Sequence, residues 1–445
     1  MLAAPRTLKH FQPFVRRSLA TVAETTKDTK KYKVVVVGGG TGGLAVSSTI
    51  SKLLGNNSVA LIEPSNVHFY QPLWTLVGGG LKTLEDSRKP MSEVIPQNVN
   101  WIRDRVIQAE PEHNSVTLSD GNKISYDFLV VAAGIQINWD KIKGLKESIG
   151  KDGVASNYSA ETVTKTWEYI KNFNGGNAIF TMPNTPVKCP GAPVKIVFLA
   201  EDWIRKNGVR EKSKVIYNTS LGKIFGIDHY GKELLRIAKS RDIQVNYFHE
   251  LTEIDASNKV ATFKQIGGDN NGSTVTYNYD LLHVTPPMGP PSWIAASSLA
   301  NSAGWVDVNQ FTLRHNRFKN VFALGDCTSV PTSKTAAAIA AQSLVLKKGL
   351  IAALEGKAPV TEAEGYDGYT SCPLIVGTDK LILAEFSGFD GKPLETFPID
   401  QSKERESMMW LNKEIIPEIY WQGLLRGVWT GPATFRKAFA PFKTA

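Results

Sequence analysis

The sequence is poor in cysteine, in long apolar runs and in acidic residues near its two ends. Three Cys in 445 residues are too few to hold a disulfide-stapled secreted scaffold together. No apolar run approaches the roughly 18 residues that cross a bilayer, so a membrane-spanning helix is not expected. Residues 1–23 and 419–445 each carry four bases and no acid. These ends hold nearly all of the net charge of +9, and the neutral body between them argues against a nucleic-acid partner.

What remains has the composition of a globular protein. The apolar fraction is 42% and the charged fraction is 21%, which argues against wholesale disorder. The length is sufficient for two or three domains with their own cores.

The first segment has the composition of a targeting sequence. Residues 1–23 intersperse bases with Leu, Phe and Val and contain no acid, a pattern typical of an amphipathic mitochondrial presequence. A disordered basic tail is the alternative. We predict a presequence and linker over residues 1–30.

A βαβ unit opens the folded body. The apolar run 33–37 predicts a buried strand, residues 44–54 a helix, and residues 59–62 a second strand that ends on Glu63. Three glycines in G-x-G-x-x-G spacing follow the first strand: Gly38, Gly40 and Gly43. Such glycines permit a tight turn, close approach of a pyrophosphate and close helix packing, while Glu63 can accept ribose hydroxyls. The unit predicts a dinucleotide site, with a purely structural turn as the alternative.

A second lobe departs from this pattern. Residues 177–181 predict a strand and residues 194–206 a helix, but the connection between them contains four prolines and one glycine. Such a loop cannot form the phosphate-cradling turn, so the second lobe is not expected to bind NAD(P)H.

Without an NAD(P)H site in the second lobe, electrons must enter the protein by another route, and the cysteines are candidates for it. Cys189 lies in the Pro-rich loop beside Lys188, Cys372 precedes a proline, and Cys327 follows a Gly-Asp pair. A neighbouring cation such as Lys188 can favour a reactive thiolate. The alternative for each cysteine is a small buried hydrophobic residue.

A Gly-Asp pair marks a second cofactor contact. Asp326 ends a predicted strand, and the Ala-rich helix 334–346 follows it. Its carboxylate can hold a ribityl hydroxyl of FAD, and the helix N-terminus can stabilise negative charge on a reduced flavin. A turn or N-cap role is the alternative.

The C-terminal segment is rich in apolar and aromatic residues. From Met408 to Trp429 they recur at mostly helical spacing, interrupted by Pro417 and interspersed with bases. This pattern favours a monotopic anchor lying in one leaflet. An arm packing on its own body or on a dimer partner is the alternative.

Several motifs together resemble the mitochondrial sulfide:quinone oxidoreductases from about residue 33 to the C-terminus. They are VVVVGGGTGGL, FYQPLWTLVGGG, NTPVKCPGAP, VTPPMGPP, NVFALGDCTSVPTSKTAAA, YDGYTSCPLIVG and LETFPIDQSKER. The resemblance implies an α/β fold with two Rossmann-like dinucleotide-binding lobes and a helical C-terminal membrane-associating segment. The implied ranges are 31–160 for the first part of the FAD-binding lobe, 161–287 for the second lobe with Cys189, 288–390 for the second part of the FAD-binding lobe with Asp326 and Cys372, and 391–445 for the C-terminal segment.

The resemblance also implies a cofactor site and a mechanism. Cys189 and Cys372 would form a redox-active bridge: sulfide attacks Cys372, leaving a persulfide, and Cys189 is released as a thiolate facing the flavin. Cys327 matches a position without a role in sulfur transfer. No metal site is predicted. The implied FAD contacts are Gly38, Gly40, Thr41, Gly42, Gly43, Glu63, Gln71, Val106 through its backbone, Asp326, Ala336, Ala337, Ala338 and Ile339.

The implied partners are sulfide, ubiquinone, a small sulfur acceptor such as glutathione or sulfite, and lipid of the mitochondrial inner membrane, with the matrix side expected. Two other functions share the two-lobe fold. A type II NADH:quinone dehydrogenase would need an intact glycine motif near residues 182–191, which the sequence lacks. A non-catalytic flavin-binding interaction protein would not depend on Cys189 or Cys372.

Overall fold

The structure, a computed structural model, describes residues 30–442. The predicted presequence therefore lies outside the described residues except for Lys30. Its strands are β1 Lys30–Val37, β2 Val59–Ile62, β3 Val67–Phe69, β4 Arg88–Pro90, β5 Val99–Ile102, β6 Val106–Glu110, β7 Ser115–Leu118, β8 Lys123–Val131, β9 Gln136–Ile137, β10 Val154–Ala155, β11 Gly176–Met182, β12 Ser213–Thr219, β13 Gln244–Asn246, β14 His249–Asp255, β15 Val260–Gln265, β16 Thr274–Asn278, β17 Leu281–His283, β18 Met288–Gly289, β19 Val321–Ala323, β20 Thr370–Ile375, β21 Leu381–Ser387 and β22 Lys392–Pro393.

Short 3₁₀ turns aside, the helices connect these strands. They are α1 Thr41–Leu54, α2 Trp74–Gly78, α3 Met91–Val94, α4 Leu145–Ser148, α5 Val163–Asn172, α6 Ala192–Lys206, α7 Asp228–Ser240, α8 Ser292–Ala295, α9 Ala336–Leu354, α10 Glu406–Trp410, α11 Ile416–Glu418 and α12 Ala433–Phe439, with π-helical turns at Leu411–Ile415 and Ile419–Leu424.

The first lobe is built on a parallel sheet. β5, β2, β1 and β8 lie side by side, and β19 pairs with the end of β8. Val34, Val35 and Val36 of β1 are fully buried, because helices and loops cover both faces of such a sheet. The predicted βαβ unit is confirmed, and β19 returns to this sheet from a distant part of the chain to carry the Gly-Asp pair to the same edge.

The second lobe has a smaller parallel sheet in the order β10, β17, β11, β12 and β13. The antiparallel sheet β14–β16 lies beside it. Because β10 pairs with β17, this lobe takes its first strand from before the predicted boundary at residue 161. Ile142 and Leu145 also pack in its core.

A third, antiparallel sheet contains β20, β21 and β22. The last of these strands, Lys392–Pro393, extends this sheet beyond the predicted boundary at residue 390. Side chains of a strand alternate between its two faces, and β20 separates two environments in this way. Cys372 and Leu374 point toward Gly191, whereas Ser371, Pro373 and Ile375 line a cavity on the other side.

Two helical features differ from the sequence prediction. By length and composition α9 could cross a membrane, but half of it is buried within the protein and it packs against α1, as a core helix does. The C-terminal helical run continues through Pro417. A proline clashes with the preceding turn of an α-helix, and the π-helical turns on either side widen the helix.

Candidate active site

One cavity of about 760 Å³ extends from the end of β2 past the start of α1 to Cys189, α9 and the C-terminal helices. This volume is within the range of small-molecule and cofactor sites. The predicted contacts that line it are Gly40, Thr41, Gly42, Glu63, Gln71, Asp326, Ala336, Ala337, Ile339 and Cys189. The fold therefore brings most of the predicted site residues to one surface.

The glycine loop forms one wall of the cavity. Gly38 adopts a φ of +102°, which favours glycine. A Cβ on Gly43 would lie 1.8 Å from the carbonyl oxygen of Gly38, so helix and strand can approach this closely only at a glycine. A Cβ on Gly40 would meet no heavy atom of the described chain within 4 Å. The loop is thus tightly packed at Gly43 and open to the cavity at Gly40, as a loop that binds a phosphate must be.

Glu63 connects the loop to the next strand. Its Oε2 accepts from the N–H of Gly39 at 2.7 Å and its Oε1 accepts from the N–H of Ser65 at 2.7 Å. Each carboxylate oxygen keeps a second lone pair for a ribose hydroxyl.

Val106, expected to contact FAD through its backbone, is not among the described residues that line the cavity. It is buried at the start of β6.

One carboxylate oxygen of Asp326, Oδ1, is buried without a hydrogen bond from the described residues. Burial raises the pKa of this carboxyl against the opposing charges of Lys334 and Lys188. An unpaired buried carboxylate oxygen is costly. A ribityl hydroxyl of FAD would satisfy it, so this residue fits the cofactor.

The start of α9 lies next to Asp326. Thr335 caps the helix by accepting from the N–H of Ala338 at 3.0 Å. Ala336, Ala337 and Ile339 line the cavity, whereas Ala338 does not. The positive end of this helix therefore points at the space where a reduced flavin would carry its negative charge.

Two of the three cysteines meet at the cavity wall. The Sγ atoms of Cys189 and Cys372 are 3.6 Å apart, and Cys189 lines the cavity. Cys189 has a left-handed φ of +55°, a conformation costing on the order of 1–3 kcal/mol that clusters at functional sites. Its N–H donates to the carbonyl of Lys334 at 2.7 Å, which holds this strained turn against α9.

Gly191 allows the sulfurs to meet. A Cβ at this position would lie 2.4 Å from the Sγ of Cys372. The single glycine of the Pro-rich loop therefore permits a close approach of sulfur. Cys327 is buried elsewhere, with its Sγ donating to the carbonyls of Val131 and Leu324.

Lys195 is the cation that acts on the thiols. Its Nζ lies 3.6 Å from the Sγ of Cys189. The pKa of Cys189 is lowered because the Cys372 thiol donates to it and Lys195 attracts the thiolate, both acting against burial. The pKa of Cys372 is raised well above its usual range by the same hydrogen bond and by burial. Cys189 is thus the thiolate of the pair.

Lys195 in turn stays charged. Burial alone would lower its pKa, but the charges of Cys189 and Cys372 outweigh burial and raise it. The prediction that Lys188 is the activating cation is wrong. Its Nζ turns away and donates to Oε1 of Gln71 at 2.7 Å and to the carbonyl of Tyr158 at 3.3 Å.

Sequence reasoning missed several residues of this site. Lys195 had one signal in the sequence, a charged residue among the apolar residues that begin a helix just after Cys189. His68 and Tyr420 had none, because the C-terminal segment reaches the glycine loop only in the folded chain. The Nε2 of His68 and the Oη of Tyr420 are 2.6 Å apart.

Comparisons with known proteins identify relatives of this chain. The family described as pyridine nucleotide-disulphide oxidoreductase matches residues 32–168. The mitochondrial sulfide:quinone oxidoreductase of Mus musculus is 48% identical, over 92% of this chain and 89% of the relative. That of Dictyostelium discoideum is 44% identical, over 96% of this chain and 92% of the relative. The crystal structure of the sulfide:quinone oxidoreductase from Aquifex aeolicus superposes with a TM-score of 0.73 at 19% identity, covering 90% of this chain and 92% of that one.

The match to the structure at this low identity concerns the fold, and it confirms the predicted α/β architecture with its Rossmann-like lobes. The two mitochondrial relatives match nearly the whole chain at 44% identity or more. The chain therefore belongs to the mitochondrial sulfide:quinone oxidoreductases, a family of flavoprotein oxidoreductases.

Proposed function

We propose that this chain oxidises sulfide at a Cys189–Cys372 disulfide and passes two electrons through FAD to a membrane quinone. The observation that carries the proposal is the meeting of the two sulfurs, 3.6 Å apart, beside the buried cation of Lys195. The names of the relatives support the same pair of substrates.

The cavity supports FAD as the cofactor. The open face at Gly40 and the first-turn N–H groups of α1 would hold the pyrophosphate. Glu63 would accept the ribose hydroxyls, and Asp326 would accept from the ribityl chain. When bound, FAD supplies a two-electron acceptor between sulfide and quinone.

The first step is a thiol–disulfide exchange. HS⁻ attacks the Sγ of Cys372, a new S–S bond forms, the Cys189–Cys372 bond breaks, and Cys189 leaves as a thiolate. Exchange is faster when the leaving thiol has a low pKa. The Lys195 ammonium 3.6 Å away lowers the pKa of Cys189, which explains why Cys189 is the leaving sulfur.

Sulfur transfer then resets the pair. A nucleophilic acceptor, a thiolate such as that of glutathione or the sulfite anion, attacks the outer sulfur of the persulfide and leaves a thiolate at Cys372. Cys189 and Cys372 rejoin as a disulfide and give up two electrons. Cys189 is the member that faces the cavity, so the electrons leave from its side.

The proposed quinone side is the part of the cavity on the face of β20 opposite the Cys372 side chain. Pro373, Ile375 and Leu383 line the cavity there. Ile416, Ile419 and Phe435 of the C-terminal segment face them. The polar end of this apolar chamber contains Glu385, which accepts from the hydroxyl of Tyr369 at 2.6 Å. The chamber suits a lipophilic ring that enters from a leaflet, and two substrates could thus approach opposite sides of one cofactor.

We expect sulfide, and not NADH, to reduce the bound flavin. Under anaerobic conditions, addition of sulfide should bleach the flavin absorbance, and the rate can be followed in a stopped-flow experiment. The same concentration of NADH should leave it oxidised, since the second lobe has no glycine cradle. Rapid bleaching by NADH with no response to sulfide would instead identify an NADH:quinone dehydrogenase. A flavin absorbance that neither sulfide nor NADH changes would indicate a non-catalytic flavin-binding protein.

The C-terminal segment supports a monotopic membrane contact. Met409, Tyr420 and Leu425 are buried against the body, so part of the predicted apolar face is core. Trp410, Val428 and Phe435 remain 59%, 72% and 49% exposed. Exposed aromatic and apolar side chains accompanied by bases are typical of an interfacial anchor.

Substituting serine at Trp410, Val428 and Phe435 together should weaken liposome binding by about a hundredfold, at roughly 1 kcal/mol of apolar burial for each residue. Substitution suits this test better than truncation at Pro417, which would also remove core residues. Ile107→Ser is the matched control, because Ile107 is 49% exposed on β6, far along the chain from this segment. Flotation with liposomes measures the partition. Equal flotation of the triple variant and the control would reject a membrane role for this face.

A further inference from the structure

A buried hydrogen-bond chain connects the C-terminal segment to the glycine loop. The Nδ1 of His68 lies 3.1 Å from the carbonyl oxygen of Gly39, and its Nε2 lies 2.6 Å from the Oη of Tyr420. The hydroxyls of Tyr420 and Thr41 are 2.9 Å apart. The two contacts of Tyr420 join residues separated by more than 300 positions in the sequence, and all three lie at the proposed pyrophosphate cradle.

The direction of every bond in this chain can be deduced. A carbonyl only accepts, so the Nδ1–H of His68 donates to Gly39. Burial lowers the pKa of His68 to about 4, which keeps the ring neutral, and its Nε2 must then accept from Tyr420. The Tyr420 oxygen accepts from Thr41 in return. Every donor in this hydrogen-bond network therefore has an acceptor, and a fully satisfied buried network is rigid.

The network fixes the loop that would hold the cofactor. Gly39 is held at both ends, by His68 at its carbonyl and by Glu63 at its N–H. Thr41, the first residue of α1, is held through its side chain by Tyr420. A preorganised cradle binds more tightly than one that must be ordered on binding. Tyr70 stacks on Tyr420 at 4.1 Å between ring centroids and holds the phenol in place.

We propose that Tyr420 is a positioning residue that couples the seating of the C-terminal segment to retention of the flavin. The inference rests on the FAD site proposed above. Coupling between two sites is reciprocal. A membrane or quinone contact that secures the segment therefore also secures the flavin, and loss of the segment loosens it.

Tyr420→Phe removes both hydrogen bonds and keeps the stacked ring. We expect FAD to dissociate from this holoprotein about tenfold faster than from the wild type, as loss of roughly one to two net hydrogen bonds would give. The increase in free flavin fluorescence after dilution measures the rate without sulfide or quinone.

Ser48→Ala is the matched control. The Ser48 hydroxyl donates to the carbonyl of Leu425 at 2.6 Å, so this variant also removes a buried hydrogen bond to the C-terminal segment but leaves the contacts of Tyr420 with His68 and Thr41 in place. Because the segment stays linked to the glycine loop through Tyr420, the rate should change by less than about twofold. Equal rates for Tyr420→Phe and the wild type, or an equal increase in both variants, would overturn the role of Tyr420 as the link. A wild-type protein that releases no FAD on denaturation would overturn the cofactor proposal instead.

A second measurement covers the case in which Tyr420→Phe does not fold with its flavin. In the wild-type holoprotein, hydrogen exchange should open residues 39–44 and 416–425 in the same cooperative step as guanidinium is added. Opening in two separate steps would contradict the proposal.

Discussion

Replacing Cys372 with serine is expected to reduce the rate of sulfide-dependent flavin bleaching by at least about 10³, the scale of losses seen when a covalent nucleophile is removed. A serine oxygen cannot form the disulfide that sulfide attacks or carry the resulting persulfide. Cys189→Ser should be equally inactive, since the leaving thiolate is then missing. Stopped-flow absorbance under anaerobic conditions measures both rates.

Cys327→Ser provides the control for this pair. Its thiol is buried but donates to backbone carbonyls away from the reacting sulfurs, and a hydroxyl can make the same contacts. It should retain flavin and bleach at the wild-type rate. If either Cys189→Ser or Cys372→Ser bleached normally, the flavin would be receiving electrons directly from sulfide, and the proposed disulfide would have no role.

Lys195→Met is expected to reduce bleaching at pH 7 by about tenfold for each unit by which the pKa of Cys189 rises above that pH. The methionine keeps the length of the side chain and removes its charge. Wild-type activity depends on the Cys189 thiolate, whose pKa is lowered, so activity should be full near neutrality and fall as the pH drops through that pKa. The hydrogen bonds from Cys372 and from the backbone of Gly191 remain, but without the cation they oppose burial less effectively and the pKa of Cys189 rises.

The pH profile distinguishes this electrostatic role from a folding defect. In Lys195→Met the activity should recover as the pH is raised through the new pKa of Cys189, toward and beyond the ordinary thiol value of about 8.5. A damaged fold would not recover with pH. A variant with an unchanged profile would show that Lys195 does not set the pKa of Cys189.

Local patterns predicted the first lobe well. The strand at 33–37, the glycine spacing and Glu63 all lie within one βαβ unit, where neighbours in sequence are neighbours in space. The structure places them as expected, with Gly43 against Gly38 and Gly40 open to the cavity. The resemblance added the pairing of Cys189 with Cys372, which spacing could not have supplied across 183 positions.

The choice of cation was wrong for a physical reason. Lys188 is adjacent to Cys189 in sequence, but successive residues in an extended loop point in different directions, and its ammonium reaches Gln71. Lys195 is the fourth residue of α6, about one turn from its start, and its side chain points back along the helix toward the sulfur, as helical side chains do. Proximity in sequence was therefore a poor guide to proximity in space.

By itself, the sequence determined the βαβ unit with its glycine loop, the candidate cysteines and the basic, acid-free ends, because each depends on composition or on spacing over a few tens of residues. Only the tertiary structure decided which cation faces the thiols, which side of β20 carries Cys372 and which lines the cavity, and how Tyr420 reaches the glycine loop. These depend on side-chain direction and on contacts between segments hundreds of residues apart. Such contacts form only when the sheets and the C-terminal helices pack together.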